Sequence, residues 1–589
     1  MLFRDMSVRE LHGILEAHSG VSSHPLDTSA DCLKRIRRMA KQSGLWNTLT
    51  NSFDADTDIP VIKRSVFRNY KRNGNRTHHQ NEESARGARL QHAFYAAWLE
   101  HPKGNIDAVQ DLLWAYCDDW TWVMAAHEYC AIDLGAVGRA YQFSEILHLL
   151  GDRIEEEVRE RVRGEIERRI LKPISDPATQ DWWQTGKNNW NHVCNGKIIE
   201  TVMLHYGDNQ IGLQANLIHR LVQNMTYALD GFTDDGGCVE GPTYWQYGFG
   251  SFLQAAYALY LRTGGEVNIC SEPKIESIAR YPLAADVAAP LRAPFSDTGS
   301  GYLSPDVVLL INQFFDASEL FALCQRDKKG CLALSSLRDF ALDDGKPKKV
   351  EAPGGDSILP DLGQIRLRGK AGNEQITMMA ISGNNGISHN HNDVGSFIVC
   401  RNGVCWLDDC GAPTYEAKTF GPQRYEILFC RSFGHGVPLI NGQEQEAGTD
   451  HFGTLSWDNL HGKGDKSAMI DMTRAYPRGT VSKLVRTLNI NYAANALLLE
   501  DQYHFTKEPA SVEEAFVTFE KAVVLKKGQA VRIGPVGKGV LMTTELAGQF
   551  SVTVLTEESK AGQSKRSVVR ISFTPKKLSR AMTLRFRIE

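Results

Sequence analysis

The sequence has no long apolar run, no excess of charge of either sign and few cysteines. No stretch of its 589 residues approaches the roughly 20 apolar residues that a membrane-spanning helix needs. Lys and Arg total 66 against 70 for Asp and Glu, a formal net charge of -4, so there is no basic surplus to hold a nucleic acid. We therefore expect neither a membrane nor a nucleic-acid partner, and a polyanion would have to bind in a local groove.

The 12 cysteines include no pair with the Cys-x-x-Cys spacing. Their low density favours reduced, mostly buried thiols over a disulfide framework. Cys400, Cys405 and Cys410 are spaced by five, which is not a ligand pattern, so we interpret them as buried strand residues. The first 15 residues lack the apolar segment of a signal peptide. We expect a cytoplasmic protein or an exported bacterial protein whose signal has been removed.

The first part of the chain has the apolar periodicity of helices. Hydrophobic residues make up 42% of the sequence and charged residues 23%, as in ordinary globular proteins. Apolar side chains recur at helical spacing along several segments, such as Ile154, Val158, Val162, Ile166 and Ile170, or Leu213, Leu217, Leu221, Met225 and Leu229. This pattern predicts one large all-α domain over residues 1–345.

The period changes to two after a polar segment rich in Pro and Gly, residues 343–356. Near the C-terminus, Leu584 and Phe586 alternate with polar residues, which is typical of a half-buried strand. Two apolar runs flank Asn402 and Gly403, a pair that favours a tight hairpin turn. Residues 346–589 should therefore form stacked antiparallel β-sheets, with or without a small separate C-terminal β unit.

Two segments of the helical part have an unusual composition. Residues 182–196 contain three Trp, four Asn and one His, which suits contacts with sugar rings and hydroxyls. The alternative is a polar loop that caps the next helix. In residues 234–250, Gly and Pro precede an aromatic cluster with Tyr244 and Tyr247. A tyrosine can act as an acid or base in a suitable site, but either one can equally be an amphipathic residue at a helix start.

A third segment, in the β part, contains imidazole and carboxylate side chains at suggestive spacings. His389 and His391 point to the same face of an extended chain, and Asp393 follows them. Asp409 and His435 come later in the sequence and could complete a set of ligands for zinc or a similar divalent ion. The alternative is a group of hydrogen-bonded histidines within a sheet.

Together these segments resemble the heparinase II/III-type polysaccharide lyases, a superfamily that includes alginate and oligoalginate lyases. The resemblance covers residues 85–445 and rests on Asn-x-x-Asn-His, Gly-Pro-x-Tyr-x-x-Tyr, and His-x-His-x-Asp followed by Asp-x-Gly. It implies a multidomain α+β fold, an N-terminal incomplete (α/α) toroid followed by a C-terminal antiparallel β-sandwich. It also implies β-elimination on uronate-containing chains, and the wording of the motifs is most similar to that of the broad-specificity glycosaminoglycan lyases.

The resemblance also implies roles for individual residues. Asn191 would bind the uronate carboxylate, and Tyr247 would be the catalytic tyrosine, as base and acid or as acid alone. His192 would be the base for the opposite C5 epimer, and His389 would polarise the carboxylate or tune the tyrosine. Tyr244 lies in the same aromatic turn and competes with Tyr247 for the catalytic role. The implied substrate contacts are Trp190, Glu240, Tyr244, Trp245, Gln246, Arg424 and Arg431.

The implied cofactor is one divalent metal ion, zinc or manganese, that organises the site without activating water. Its ligands would be His391, Asp409 and His435, with Asp408 as the neighbouring alternative to Asp409. The partner would be an acidic polysaccharide, and the protein would be a monomer or a homodimer.

Two other enzyme classes compete with this interpretation. A glycoside hydrolase on an (α/α) toroid needs two carboxylates beside the scissile bond, which Asp234 or Asp235 with Glu240 would supply. A metal-dependent hydrolase would use an open coordination position at the His391 cluster to activate water. A sugar-binding protein without catalysis is a further alternative, although binding alone does not require so many titratable groups.

Overall fold

The computed structural model describes residues 5–52, 59, 61–288, 291–299, 301–351, 354–371, 374–525 and 528–589. Helices predominate up to Leu342, and strands predominate from Ser357 onward. The polar segment 343–356 connects the two parts, as the change of period predicts, although residues 352 and 353 lie outside the described part. In the described residues, no helix is both long enough and apolar enough to cross a bilayer.

Sixteen α-helices are found in the described part of the first 345 residues. They are α1 (Val8–Ala17), α2 (Ala30–Ser43), α3 (Leu45–Ser52), α4 (Arg64–Phe67), α5 (Asn69–Asn73), α6 (Thr77–Trp98), α7 (Ile106–Cys117), α8 (Leu134–Leu150), α9 (Glu156–Ile166), α10 (Lys172–Ser175), α11 (Asn189–Tyr206), α12 (Ile211–Leu229), α13 (Pro242–Arg262), α14 (Pro273–Ala285), α15 (Pro305–Phe314) and α16 (Leu337–Leu342). The predicted stripe from Ile154 to Ile170 is buried. Ile154 precedes α9, and the rest of the stripe lies on α9 and the π-helical turn Glu167–Leu171 that follows.

Helix α11 lies at the centre of the helical part. It packs against α8, α12 and α13, and most of its side chains are buried whichever way they point. A helix that is buried on all sides carries no amphipathic stripe, so its hydrophobic periodicity is weak. The unusual polar segment at residues 182–196 therefore includes the first two turns of a core helix.

The β part contains the strands β3 to β21. They are β3 (Ser357–Leu359), β4 (Gln364–Ala371), β5 (Glu374–Ile381), β6 (Asn384–Asn385), β7 (Phe397–Arg401), β8 (Val404–Leu407), β9 (Leu439–Ile440), β10 (Gly448–Phe452), β11 (Thr454–Asp458), β12 (Lys466–Asp471), β13 (Val481–Asn491), β14 (Ala496–Phe505), β15 (Val512–Thr518), β16 (Ala522–Leu525), β17 (Ala530–Ile533), β18 (Val540–Thr543), β19 (Gly548–Leu555), β20 (Val568–Pro575) and β21 (Ala581–Ile588).

All paired strands in these sheets are antiparallel. The three larger sheets have eight strands in the order β11-β12-β13-β14-β21-β18-β17-β16, five in the order β3-β4-β5-β7-β8 and four in the order β19-β20-β15-β9. Leu584 and Phe586 of β21 are buried while Arg585 is exposed, which confirms the alternation seen in the sequence. The predicted hairpin forms between β7 and β8, where Asn402 and Gly403 both have positive φ, as a tight two-residue turn requires.

Two expectations from the sequence need correction. The helical part is not wholly α, because β1 (Asp286–Ala288) and β2 (Leu291–Arg292) form a small antiparallel pair. The expectation of reduced thiols is wrong for one pair, since Cys400 and Cys405 form a disulfide. These two residues face each other across the β7–β8 hairpin, and pairing of this kind depends on strand register, which cysteine spacing does not reveal. The other ten cysteines are free.

The small β1–β2 pair attaches the helical part to the five-stranded sheet. Val287 and Phe295 pack with Met379 and Ile398 in a separate apolar cluster. Polar contacts reinforce this junction, because Arg368 Nη2 donates to Asp286 Oδ2 at 2.6 Å. The loop that follows β2 is thereby held against the β part.

A buried cluster of charged side chains in the eight-stranded sheet also supports this junction. Arg486 on β13 is fully buried and pairs with Asp501 on β14, with Nη2–Oδ2 at 2.6 Å. Arg486 Nη1 donates to the carbonyl oxygen of Gly395 at 2.9 Å. Gly395 belongs to the segment that follows His389 and His391, so the charge pair also holds that segment in place.

We expect Arg486→Met to lower the free energy of unfolding by about 3–5 kcal/mol, because it leaves the buried Asp501 carboxylate without its cation. Urea denaturation followed by fluorescence measures the change. The matched control is Arg585→Met, which breaks an exposed pair with Glu500 and should cost less than about 1 kcal/mol. Equal losses in the two variants would contradict a special role for the buried cluster.

Candidate active site

A cleft of about 720 Å³ lies where the helical part meets the loops of the β part. Its helical wall comes from α6, α11, α13 and the segments before α6 and α8. The other wall comes from the segment around His389 and from residues 415–420. The lining side chains are mostly aromatic and polar, and they include Tyr70, Arg76, Gln80, His127, Tyr129, Trp182, Asn188, Asn189, Trp190, Tyr244, Tyr247, Ser388, His389, Tyr415 and Phe420.

The start of α11 decides which residues of the asparagine-rich segment face this cleft. Asn188 is the N-cap residue, and its side chain accepts a hydrogen bond from the backbone N–H of Trp190 at 3.2 Å. With this start, Asn188, Asn189 and Trp190 line the cleft. Trp190 also packs against His127, with ring centroids 4.6 Å apart.

Asn191 and His192 lie behind the wall of the cleft instead of lining it. Asn191 is fully buried, and its Nδ2 donates to the carbonyl oxygens of Gln184 and Asn224, both at 2.9 Å. The His192 Nε2 lies 3.2 Å from the carbonyl oxygen of Met225. Burial lowers the pKa of His192 to about 4, so the ring is neutral at pH 7. The structure does not bring these two residues to the cleft.

Helix α13 brings two tyrosines to the cleft. The chain enters the helix through Gly241, which has φ +85°, and Pro242 occupies the first turn. Tyr244 and Tyr247 are three positions apart and therefore lie on the same face of the helix, where both line the cleft. Trp245 and Gln246, which the sequence suggested as substrate contacts, lie elsewhere.

These two residues have structural partners. Trp245 is fully buried, and its Nε1 donates to the carbonyl oxygen of Ile278 at 2.7 Å. The Gln246 Oε1 accepts from the backbone N–H of Ser304 at 2.8 Å, next to the start of α15. Both side chains therefore fix α13 within the helical part.

The surroundings of the two tyrosines differ. The Tyr244 ring stacks on His389, with centroids 4.1 Å apart, and its hydroxyl contacts the hydroxyl of Tyr415. Tyr247 is 44% exposed, and no described side chain hydrogen-bonds to its hydroxyl. Burial raises the pKa of both phenols above the usual value, so each keeps its proton at neutral pH. The structure thus connects Tyr244, and not Tyr247, to the histidine.

One carboxylate, Asp297, holds this group together. His389 Nδ1 lies 2.7 Å from Asp297 Oδ2, and Tyr415 donates to the same oxygen at 3.0 Å. The other oxygen, Oδ1, lies 2.9 Å from His391 Nε2 and accepts from Arg424 Nη2 at 3.0 Å. Although burial opposes ionisation, the hydrogen bonds from His389 and His391 hold the pKa of Asp297 well below its usual range.

Because Asp297 is ionised and can only accept, His389 must carry its proton on Nδ1. In the neutral tautomer with this proton, Nε2 has a free lone pair, and the atom lies 3.6 Å from Glu240 Oε1. Burial raises the pKa of Glu240, whose other oxygen accepts from the backbone N–H of Asn189 at 2.9 Å. Glu240 is thus a buried link between α11 and the His389 segment.

The predicted metal ligands come together next to this network. His391, Asp409 and His435 form a buried cluster with Asp393, each offering a ligand atom within 4.8 Å of the others. The Nδ1 of His391 and the Oδ2 of Asp393 are buried without a hydrogen-bond partner. Unpaired buried atoms of this kind are costly, and two imidazoles with two carboxylates are ligands that suit zinc or manganese. The residues therefore fit a divalent ion.

Details of this cluster agree with a ligand set. His435 presents Nδ1 to the cluster, 2.9 Å from Asp409 Oδ2, while its Nε2 lies 3.0 Å from the carbonyl oxygen of Phe429. His391 presents Nδ1 to the cluster while Nε2 contacts Asp297, an arrangement that orients metal-binding histidines in many proteins. Asp408, the alternative to Asp409, does not belong to the cluster.

The two arginines suggested as substrate contacts are held by protein groups. Arg424 pairs with Asp297 and also donates to the carbonyl oxygen of Asn390 at 2.9 Å. Arg431 pairs with Glu444, with Nε–Oε1 at 2.9 Å. Neither is among the described residues that line the cleft.

Comparison with known proteins agrees with this architecture. Residues 352–585 match the family model described as heparinase II/III-like, C-terminal. The C-terminal part is thus similar to a heparinase II/III-like domain, and we refer to it by that name. This domain contains His389, Tyr415 and all four residues of the buried His391–Asp393–Asp409–His435 group, which we call the metal-type cluster. Asn189, Tyr244 and Asp297 come from the helical part before it. No curated protein matches the sequence at a significant level.

Solved structures match almost the whole chain, the heparinase II/III-like domain included. Heparinase III has 12% identity and a TM-score of 0.63 over 96% of this chain and 92% of its own. A mutant of the heparan sulfate lyase HepC from Pedobacter heparinus has 12% identity and a TM-score of 0.58 over 99% and 87%. The chondroitin AC lyase of Streptomyces coelicolor A3 has 9% identity and a TM-score of 0.52 over 99% and 82%.

These identities establish a shared fold, and all three similar structures are of polysaccharide lyases. The resemblance to the heparinase II/III-type lyases that the motifs indicate is therefore confirmed. It extends beyond the family model, because the helical part is also covered.

Sequence reasoning missed several residues of the cleft and its supporting network. Asn189 lies in the predicted segment 182–196, but the sequence does not reveal the helix register that turns its side chain toward the cleft. Asp297 lies in an ordinary loop after β2, and Tyr415 lies in a loop after β8; neither belongs to a motif. Arg76 stands in a polar stretch and His127 in a largely apolar one, and neither stretch has a recognisable pattern.

We expect Asp409→Asn to reduce the zinc or manganese bound to the purified protein by about tenfold or more, because a neutral amide replaces a charged ligand. Metal analysis after dialysis measures the content, and the loss of stabilisation by added metal in a thermal melt provides a second readout. Asp408→Asn is the matched control and should keep its metal. Equal metal content in both variants and the unaltered protein would contradict the assignment.

Proposed function

We propose that this protein is a lyase that cleaves uronate-containing glycosaminoglycans by β-elimination, leaving 4,5-unsaturated oligosaccharides. The observation that carries the proposal is the set of Tyr244, His389 and Asn189 in one cleft, with an ionised carboxylate orienting the histidine. The similar structures are of heparinase III, a heparan sulfate lyase and a chondroitin AC lyase, which supports the substrate class.

The reaction needs a group that binds the uronate carboxylate as negative charge develops on it. We assign this role to Asn189 in place of Asn191. Asn189 lines the cleft, whereas Asn191 lies behind its wall with Nδ2 already donating to two carbonyl oxygens. The Nδ2 group of Asn189 makes no hydrogen bond to another described residue, so it can donate to the carboxylate of a bound sugar.

The acid and base are adjacent in the cleft. His389 Nε2, without a proton, takes the C5 proton of the uronate as the C4–O4 bond breaks and a C4–C5 double bond forms. Tyr244 gives its proton to the departing O4, a role that suits a phenol whose pKa is raised by burial. The elimination leaves a protonated His389 and a Tyr244 phenolate, and one proton returns from the histidine to the phenolate through water before the next turnover. Tyr415, which accepts from Tyr244 and donates to Asp297, holds the phenol in place.

A divalent ion at the His391 cluster would supply positive charge that compensates Asp393 and Asp409. We propose zinc or manganese bound by His391, Asp393, Asp409 and His435. All four residues are buried, which leaves no access for a sugar and favours a site that orders His391, Asp297 and His389 over one that activates water.

The remaining assignments follow the same lyases. We propose that the helices of residues 1–345 form an incomplete (α/α) toroid and that the sheets of residues 346–589 form the antiparallel β-sandwich. The substrates would include hyaluronan, chondroitin sulfate and heparan sulfate. Alginate or oligoalginate is the second candidate, because the chemistry of elimination is the same for every uronate polymer.

A glycoside hydrolase is disfavoured by the composition of the cleft. Hydrolysis by the usual mechanism needs two carboxylates beside the scissile bond. No Asp or Glu is among the described residues that line the cleft. Asp234 is exposed near Lys274, and Asp235 accepts from backbone N–H groups of its own turn and of Asp361.

We expect Tyr244→Phe to lower kcat for the glycosaminoglycan that is cleaved by about 100-fold or more, because it removes the proton donor. Ultraviolet absorbance of the unsaturated product is followed with hyaluronan, chondroitin sulfate, heparan sulfate and alginate. Tyr247→Phe is the matched control on the same helix face and should change kcat little.

The outcomes separate the candidate functions. A rise in absorbance only with alginate would retain the mechanism and change the substrate. Reducing ends that form without any rise in absorbance would mean hydrolysis and would contradict the proposal. A large loss in Tyr247→Phe with little loss in Tyr244→Phe would reverse the assignment of the tyrosines.

A further inference from the structure

The helical wall of the cleft contains a cationic group that the proposed acid, base and carboxylate-binding residues do not use. Arg76 precedes α6 and lines the cleft together with Gln80 and His127. It is the one Arg or Lys among the described lining residues. Because the cleft is otherwise aromatic and neutral, the electrostatic preference of this wall depends on this side chain.

The Arg76 guanidinium is held in place by neutral partners. Its Nη2 donates to His127 Nε2 at 3.1 Å. With the Gln80 amide turned so that its oxygen faces the arginine, Oε1 accepts from Nε at 2.9 Å. The positive charge is therefore oriented without being neutralised.

The partner histidine is itself fixed. His127 Nδ1 lies 2.8 Å from Asp133 Oδ2, and the same carboxylate accepts from the backbone N–H groups of Met124 and Ala136 at 3.0 and 2.9 Å. Because Asp133 is an acceptor here, His127 carries its proton on Nδ1 and accepts from Arg76 on Nε2. A buried carboxylate thus fixes the arginine through the ring, and His127 is a positioning residue.

The guanidinium has no carboxylate partner at ion-pair distance in the described part of the chain. The charged group that acts on it is Asp133, which reaches it through His127, and its other electrostatic neighbours are Tyr70, Tyr244 and Tyr415. Partial burial lowers the pKa of Arg76, the mark of a cation that has lost water without gaining a counter-ion. Leaving a half-buried charge in this state is costly unless a ligand supplies the anion.

We propose that Arg76, positioned by Gln80 and His127, forms an anion subsite that binds a uronate carboxylate of the sugar chain in the cleft. The two N–H groups on its Nη1 take no part in these contacts and can donate charge-assisted hydrogen bonds to a carboxylate. Arg76 lies close to the proposed acid, Tyr244. The Tyr415 ring, whose hydroxyl contacts that of Tyr244, has its centroid 6.0 Å from the guanidinium carbon of Arg76. The subsite therefore holds an acidic sugar beside the bond that is cleaved.

The subsite rests on the proposed uronate substrate, so binding and elimination are measured separately. Tyr244→Phe protein is used for binding, because we expect it to consume the sugar more slowly by about 100-fold or more. Calorimetry gives the affinity for hyaluronan and chondroitin sulfate hexasaccharides and for the same sugars with their carboxylates reduced to alcohols. Arg76→Gln is then added to the Tyr244→Phe protein and compared with Arg64→Gln.

We expect Arg76→Gln to weaken binding of both acidic hexasaccharides by about 10- to 100-fold, the worth of a charge-assisted hydrogen bond. The carboxyl-reduced sugars should bind equally to both proteins. Arg64→Gln removes the same charge at an exposed site over Trp120, outside the cleft lining, and should leave every affinity unchanged.

Three results would overturn the inference. One is an affinity for the acidic sugars that does not depend on Arg76. Another is an equal loss with acidic and reduced hyaluronan, which would mean a structural effect. The third is a loss that persists with reduced chondroitin sulfate, which would mean that the subsite binds sulfate. Elimination by the unaltered protein, followed by absorbance, tests the lyase function independently, so the failure of one proposal is distinguishable from the failure of the other.

Discussion

The site depends on a single buried carboxylate that binds two histidines at once. Asp297 contacts His389 with one oxygen and His391 with the other. The first histidine faces the cleft, and the second faces the metal-type cluster. Since both rings must present particular nitrogen atoms, the ionised state of Asp297 fixes both tautomers together. The proposed catalytic base and the cluster are thereby parts of one hydrogen-bonded unit.

This carboxylate also connects the two parts of the chain. Asp297 belongs to the helical part, whereas both histidines belong to the heparinase II/III-like domain. The loop that carries Asp297 follows the β1–β2 pair, whose apolar residues pack on the five-stranded sheet. On the other side, Arg486 holds the backbone at Gly395. Packing from both directions therefore places the histidines against their carboxylate, and the cleft forms at the same junction.

Much of the fold was predictable because its signals are local. Helical stripes, alternating strands and the Asn402–Gly403 turn depend on neighbouring residues, and the structure confirms them. The metal-type cluster was also predictable in large part, since His391, Asp409 and His435 come from recognisable motifs. The Cys400–Cys405 disulfide was missed because it depends on register across a hairpin.

The details of the active site were less predictable because they depend on tertiary structure. A single capping residue, Asn188, sets the register that turns Asn189 toward the cleft and Asn191 away from it. Tyr244 and Tyr247 share one helix face, so spacing alone could not separate them; the stacking of Tyr244 on His389 does. Asp297 carries no sequence signal, because its importance arises only when the loop meets the β part.

The most direct test of this account is the effect of Asp297→Asn on elimination and on bound metal, measured on the same preparation. The amide keeps the size of the side chain but removes the charge that fixes both histidines. We predict that kcat falls by about 100-fold or more and that metal affinity falls about 10- to 100-fold, while the protein remains folded. A folded variant that keeps its activity or its metal at the level of the unaltered protein would contradict the coupling of the two sites through Asp297.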